Sequence, residues 1–171
     1  MFRSVFVSWL FISIFPAFSL LAEAGKPLLV IPGPRQAEAD FPPWNDPLVD
    51  RIGYRVLQAI EEWGPPQEMA VNRGAEAVQD SIIFYYADHT YLYWWQNRLW
   101  QIRFDGRYKG EVMGIEMGLS RSDVVKRLGN PFNGTANDII YQLPDRGFPV
   151  RLRLIFNNDR LVDFYLYRAD F

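Results

Sequence analysis

Apolar residues recur every third or fourth position in two stretches of this chain, and every second position in six others. Leu48, Ile52, Val56, Ile60 and Trp63 lay one apolar stripe along a predicted helix. Asn45 or Asp46 can cap it and Pro47 fits its first turn, where a missing N–H costs nothing. Gly64, Pro65 and Pro66 end it. A second helix is predicted from Ser120, with Asp123 as an acidic variant of a capping box. Val124, Val125 and Leu128 form its apolar side, and Gly129 then Pro131 close it.

Three strand-like runs follow each helix. They are "SIIFYYA" (81–87), "TYLYWW" (90–95) and "LWQIRF" (99–104), then "DIIYQL" (138–143), "VRLRLIF" (150–156) and "LVDFYLY" (161–167). "QNR" (96–98) and "NDR" (158–160) separate the last two runs of each set and predict three-residue hairpin loops. Alternation places Leu92, Trp94, Trp100, Ile102 and Phe104 on one face, with Leu152, Leu154, Phe156, Val162, Phe164 and Leu166 in the later set. The other face receives Tyr91, Tyr93, Trp95, Gln101 and Arg103, then Arg151, Arg153, Ile155, Asp163, Tyr165 and Tyr167. Cross-strand pairs Tyr91–Arg103, Arg151–Tyr165 and Arg153–Asp163 are expected there.

"LQAIEEWGPP" (57–66) and "SDVVKRLGNP" (122–131) align without a gap. The expected architecture is therefore α+β. It consists of two tandem units, 47–106 and 107–171, each a helix plus a three-stranded antiparallel meander, with the sheets packed on the helices. Ahead of them, Arg3, the apolar run 5–21 and "AEA" (22–24) predict a signal peptide, residues 1–24, cleaved after Ala24. No second hydrophobic span follows, so no integral membrane span is expected after cleavage. Residues 25–47 hold six of the twelve prolines, so 25–46 reads as an extended Pro-rich leader.

The absence of cysteine excludes disulfides, thiolate metal sites, cysteine nucleophiles and lipid attachment through cysteine. A net charge of −2, with no block of like charge, argues against a nucleic-acid partner. The single histidine, His89, sits beside Asp88 at a predicted turn and has no second histidine for zinc. Ser120 and Ser122 are explained by capping, and no glycine-rich phosphate loop follows a strand. The expectation is a non-enzymatic chain with no metal and no cofactor.

The segment "GIEMGLSRSDVVKRLGNP" (114–131), followed by "DIIYQL" and "LRLIFNNDRLVDFYLY", resembles the SmpA/OmlA (BamE-like) family of small envelope proteins. Gly118, Ser120, Val124, Leu128, Gly129 and Pro131 carry that match. Two such copies in tandem are similar in arrangement to the β-lactamase inhibitory protein. The resemblance implies an envelope assembly factor or an inhibitor-like module with a concave, aromatic-rich sheet.

Tyr, Trp and Arg dominate interface energetics, and aromatic residues make up 16% of the chain. The expected function is that of a secreted or periplasmic protein-binding module. It would recognise another envelope or secreted protein through Tyr91, Tyr93, Trp95, Arg103, Arg151, Arg153, Tyr165 and Tyr167. Coverage of these rings by the leader, or by the other unit, is the alternative. Binding of cell-wall carbohydrate is a second, with hydrolase chemistry behind it.

Overall fold

The computed structural model describes residues 45–170. The expected signal peptide, its cleavage site and all but the last residues of the leader lie outside the described residues.

Strand predominates over helix in the described part of the molecule, as its period-two alternation favours. Its helices are α1 (Pro47–Asp50), α2 (Val56–Trp63) and α3 (Arg121–Leu128). Its strands are β1 (Glu68–Asn72), β2 (Ser81–Tyr85), β3 (Thr90–Trp95), β4 (Arg98–Asp105), β5 (Glu111–Val112), β6 (Ile115–Glu116), β7 (Asn133–Gly134), β8 (Asp138–Gln142), β9 (Val150–Asn157) and β10 (Arg160–Arg168). Eight strands form one antiparallel sheet in the order β1-β2-β3-β4-β10-β9-β8-β7, and β5–β6 form a separate ribbon.

This corrects the expected α+β class of two tandem helix-plus-three-stranded units. The strands are not divided into two meanders: β4 pairs directly with β10, and two short runs absent from the prediction add β1 and β7 at the edges. The helices are short covers, of 4, 8 and 8 residues. The stretch before Gly53 is helical whereas the stretch before Gly118 is the β5–β6 ribbon, so the tandem-repeat description fails there too.

The continuous helix expected over 45–64 is broken for a non-local reason. Asp46 does cap α1, its Oδ1 accepting from Leu48 N–H at 2.8 Å. At Gly53 (φ +94°) the chain turns away to dock on the β3–β4 hairpin. Gly53 N–H donates to Leu99 O at 2.7 Å, and Leu99 N–H donates to Tyr54 O at 2.9 Å. Only then does α2 start, with the Gln58 side chain accepting from Arg55 N–H. A similar docking joins Gly118 and Leu119 to Leu161 on the β9–β10 hairpin, at 2.8 and 2.9 Å. There Ser120 caps α3, although Asp123 accepts from the Ser120 hydroxyl rather than from its N–H.

Each docked leucine marks a β-bulge. Trp94 pairs with Leu99 but Tyr93 with Gln101, and Leu161 pairs with Phe156 but Asp163 with Ile155. The extra residues are Trp100 and Val162, which leave the core face expected for them. Leu99 and Leu161 take their places, 0% and 2% exposed. The loops are also shorter than expected. Trp95 pairs with Arg98 and Asn157 with Arg160, leaving two-residue turns, Gln96-Asn97 and Asn158-Asp159, with all four φ positive. Observed partners are Tyr91–Arg103 as expected, but Arg151–Tyr167 and Arg153–Tyr165. The pairs Arg151–Tyr165 and Arg153–Asp163 are thereby corrected.

One core lies between the sheet and its helical cover. Leu92, Ile102, Leu152, Leu154, Phe164 and Leu166 from the sheet join Val49, Ala59, Val124 and Leu128 from the helices and Ile52 from the turn after α1. Each fully buried large aliphatic or aromatic side chain contributes about 1.5–3 kcal/mol.

Type I′ turns favour Asn-Gly. The double substitution Gln96→Asn/Asn97→Gly should therefore stabilise the protein by about 0.5–2 kcal/mol in urea unfolding. A three-residue loop with one left-handed position would give no such gain.

Candidate binding surface on the open side of the sheet

Alternation places two cross-strand rows on the face away from the core. One runs Tyr85, Tyr91, Arg103, Tyr165, Arg153 and Ile140 across β2, β3, β4, β10, β9 and β8. The other runs Ile83, Tyr93, Gln101, Tyr167, Arg151 and Gln142 over the same strands. Seven of the eight residues singled out from the sequence lie in these rows. Trp95 sits at the hairpin end of β3.

In the first row a guanidinium lies between aromatic rings. The Arg103 Cζ is 5.1 Å from the Tyr91 ring centroid and 5.4 Å from that of Tyr165. Tyr85 extends the row, its centroid 5.1 Å from that of Tyr91. Arg103 also forks onto Asp163, with Nε–Oδ1 2.7 Å and Nη2–Oδ2 3.0 Å. The Asp163 hydrogen bonds hold the guanidinium above its ordinary pKa range against the opposing effect of burial. Burial raises the Tyr91 and Tyr165 phenols. Both tyrosines are thus neutral donors at neutral pH.

Two buried carboxylates brace opposite parts of the row, Asp105 by Tyr91 and Asp138 by Arg153. Asp105, 7% exposed, accepts from Arg107 Nη2 at 2.6 Å, from Arg107 N–H at 2.9 Å and from Tyr91 OH at 2.8 Å. The Arg107 side chain, above all, holds its carboxyl well below the usual carboxylate range. His89 approaches the same group, with Nδ1 3.2 Å from Tyr85 Oη and 4.0 Å from Asp105 Oδ2. Asp138 accepts from Arg153 Nε and Nη2, at 2.8 and 2.7 Å, and from the Thr135 hydroxyl. Thr135 first and Arg153 second lower its pKa.

The second row is more open. Tyr93 meets Trp100 edge-on at 6.0 Å between centroids, so the bulge has moved a tryptophan onto this face. Beyond it a groove of about 330 Å³ is lined by Trp100, Gln101, Arg151, Tyr165, Tyr167 and Arg168, among others. Arg151 Nε donates to the neutral Gln142 Oε1 at 3.0 Å. Trp95 serves structure: its indole N–H donates to Val78 O at 2.7 Å and pins the loop between β1 and β2.

The sequence reading missed Tyr85, Trp100, Asp105, Arg107 and Arg168. Tyr85 was readable, since it alternates with Ile83. Trp100 was not, because its side depends on the docking of Gly53. No cluster of three or more His, Cys, Asp or Glu fit to hold a metal occurs among the described residues, and none of their helices is long and apolar enough to cross a membrane.

No family model matches the chain, and no curated protein matches its sequence. Solved structures similar to it include an extracellular protein containing an SCP domain from Bacillus anthracis str. Ames. That match has 12% identity, 71% of this chain, 45% of that chain and a TM-score of 0.48. Another is a cysteine-rich secretory protein from Staphylococcus aureus subsp. aureus Mu50, with 8% identity, 71% of this chain, 44% of that chain and a TM-score of 0.45. The chain spans less than half the length of either. Those two proteins are described as extracellular and as secretory, respectively.

These findings correct the resemblance to the SmpA/OmlA (BamE-like) family and to the β-lactamase inhibitory protein. The matching residues have ordinary physical roles that any capped, packed helix demands. Ser120 caps α3, Val124 and Leu128 bury its inner side, and Gly129 (φ +80°) ends it ahead of Pro131.

The buried carboxylate gives a pH test. Asp105 stays ionised in the folded protein at pH values where the unfolded chain, with a pKa of about 3.9, takes up a proton. Its stabilising contribution is complete above that value and is lost as pH falls through the folded pKa. Asp105→Asn should cost about 1.5–3 kcal/mol at neutral pH. It should also flatten the decline of stability below about pH 4, as read by urea unfolding across pH.

Proposed function

We propose that this chain is a non-enzymatic, secreted or periplasmic binding protein that recognises another exported protein through the open side of its sheet. The observation that carries the reading is the row Tyr85–Tyr91–Arg103–Tyr165. Four side chains of the types richest in binding energy stand half-buried and already ordered on one rigid surface. Rigidity matters because rotamer entropy spent in folding is not spent again on binding. Arg103 is held by a fork and two rings, so it presents its stacked aromatic neighbours without rearrangement.

The cluster around His89 supports a structural role over catalysis. Both oxygens of Asp105 are occupied by Arg107, and one of them also by Tyr91. Carbohydrate binding is a second reading, favoured by the placing of Trp100 beside Tyr93 and the amides of Gln101 and Gln142.

A photo-cross-linking amino acid at position 93 tests the proposal. Leu57, which is 72% exposed on helix α2, is the control position. With envelope and culture fractions of the source cells, position 93 should give discrete protein adducts and position 57 none. Tyr167→Ala in the same protein should reduce the adducts by at least about thirtyfold, the loss expected of one hot-spot side chain. Equal labelling from both positions contradicts the proposal. Retention on cell-wall glycan without protein adducts supports the carbohydrate reading instead.

A further inference from the structure

The charges on this face are not evenly balanced. Arg103 is closed by both oxygens of Asp163, Arg107 by Asp105, and Arg168 by Asp170. Arg153 meets Asp138 but keeps 48% of its side chain exposed. Arg151 donates to the neutral amide oxygen of Gln142, and no carboxylate among the described residues pairs with it. The groove beside them is lined by three arginines and by no acidic residue. Its walls are aromatic: Trp100, Tyr165 and Tyr167 line it, and Phe132, 65% exposed, lies 5.8 Å from the Arg151 guanidinium.

Spacing narrows the ligand. Arg151 and Arg153 are alternate residues of one strand and point to the same side. Alternate side chains of any extended polypeptide recur at about 6.4–6.8 Å, the same interval. A peptide lying along β9 can therefore set two carboxylates, one residue apart, onto the two guanidinium groups in register. The planar guanidinium fork suits carboxylates, and the intervening side chains would rest on the aromatic walls. A polyphosphate backbone fits less well. The chain's net charge of −2 supplies no extended positive field beyond this groove.

We infer that the open face takes an acidic, extended segment of a partner protein, its alternate carboxylates seated on Arg151 and Arg153 beside Tyr167 and Trp100. This rests on the binding role proposed above and names the chemistry of the partner.

The test uses the full exported chain and two immobilised peptide libraries. One is Glu-x-Glu-x-Glu with x drawn from apolar and aromatic residues, and the other replaces every Glu with Gln. Peptides recovered from the acidic library should bind at least tenfold tighter than their glutamine twins. That margin should shrink with added salt and vanish in Arg151→Gln. Arg151→Lys should keep part of it, and both variants should retain the wild-type circular dichroism and melting temperature. Equal binding of the twins, or no retention of either library at millimolar peptide, overturns the inference. So does competition by inorganic phosphate as strong as that by the acidic peptide, which would mark a simple anion site. The cross-link at position 93 reports separately. Protein adducts there, together with equal binding of the twins, leave the binding face standing and remove only its acidic preference.

Discussion

The pairing of β4 with β10 is the constraint on which the rest of this molecule depends. It joins four strands on each side into a single sheet, and it has two different faces. Toward the core, Ile102 opposes Leu166 and Phe104 opposes Phe164, the two rings meeting edge-on at 5.6 Å. Toward solvent, Arg103 reaches across the same seam to grip Asp163 and stacks on Tyr91 and Tyr165. Without this junction β4 and β10 would be unpaired edges, long and apolar on one side, the kind of edge that recruits foreign strands. The edges that remain are β7, two residues long, and β1, five exposed residues.

Function follows from the same seam. The candidate partner surface is built from strands on both sides of it: Tyr91 and Tyr93 from β3, Gln101 and Arg103 from β4, Tyr165 and Tyr167 from β10, Arg151 and Arg153 from β9. No single hairpin carries the whole row of rings, nor both the Trp100 wall and the arginines of the groove. Buried Asp105 and Asp138, each tied to an arginine, brace the two sides of the surface. The aromatic rows are therefore a product of sheet assembly, and their geometry is set before any ligand arrives.

Much of this was written locally in the chain. Alternation within Tyr91–Trp95, Gln101–Arg103, Arg151–Arg153 and Tyr165–Tyr167 put the eight proposed contact residues on the side where they are found. What could not be read was whatever one segment imposes on another. The break after α1, the bulges at Trp100 and Val162, and the shorter turns belong together. Backbone groups of Gly53, Tyr54, Gly118 and Leu119 bind the hairpins at Leu99 and Leu161, and each strand yields one extra residue where it is bound. β1 escaped notice because its apolar alternation is only two residues long, Met69 and Val71, and both lie exposed at the sheet edge. The joining of β4 to β10 escaped for a different reason. A strand's sequence records which side it buries, not which neighbour it chooses.

The claim that Arg103 and Asp163 act as one unit across the seam is tested most directly by a double-mutant cycle with Arg103→Gln and Asp163→Asn, measured by urea unfolding. The account predicts a coupling energy of about 1–3 kcal/mol between the two sites. Additivity of the single substitutions to within about 0.5 kcal/mol would contradict it. The fork would then be a passive neighbour of a seam held by its apolar side alone.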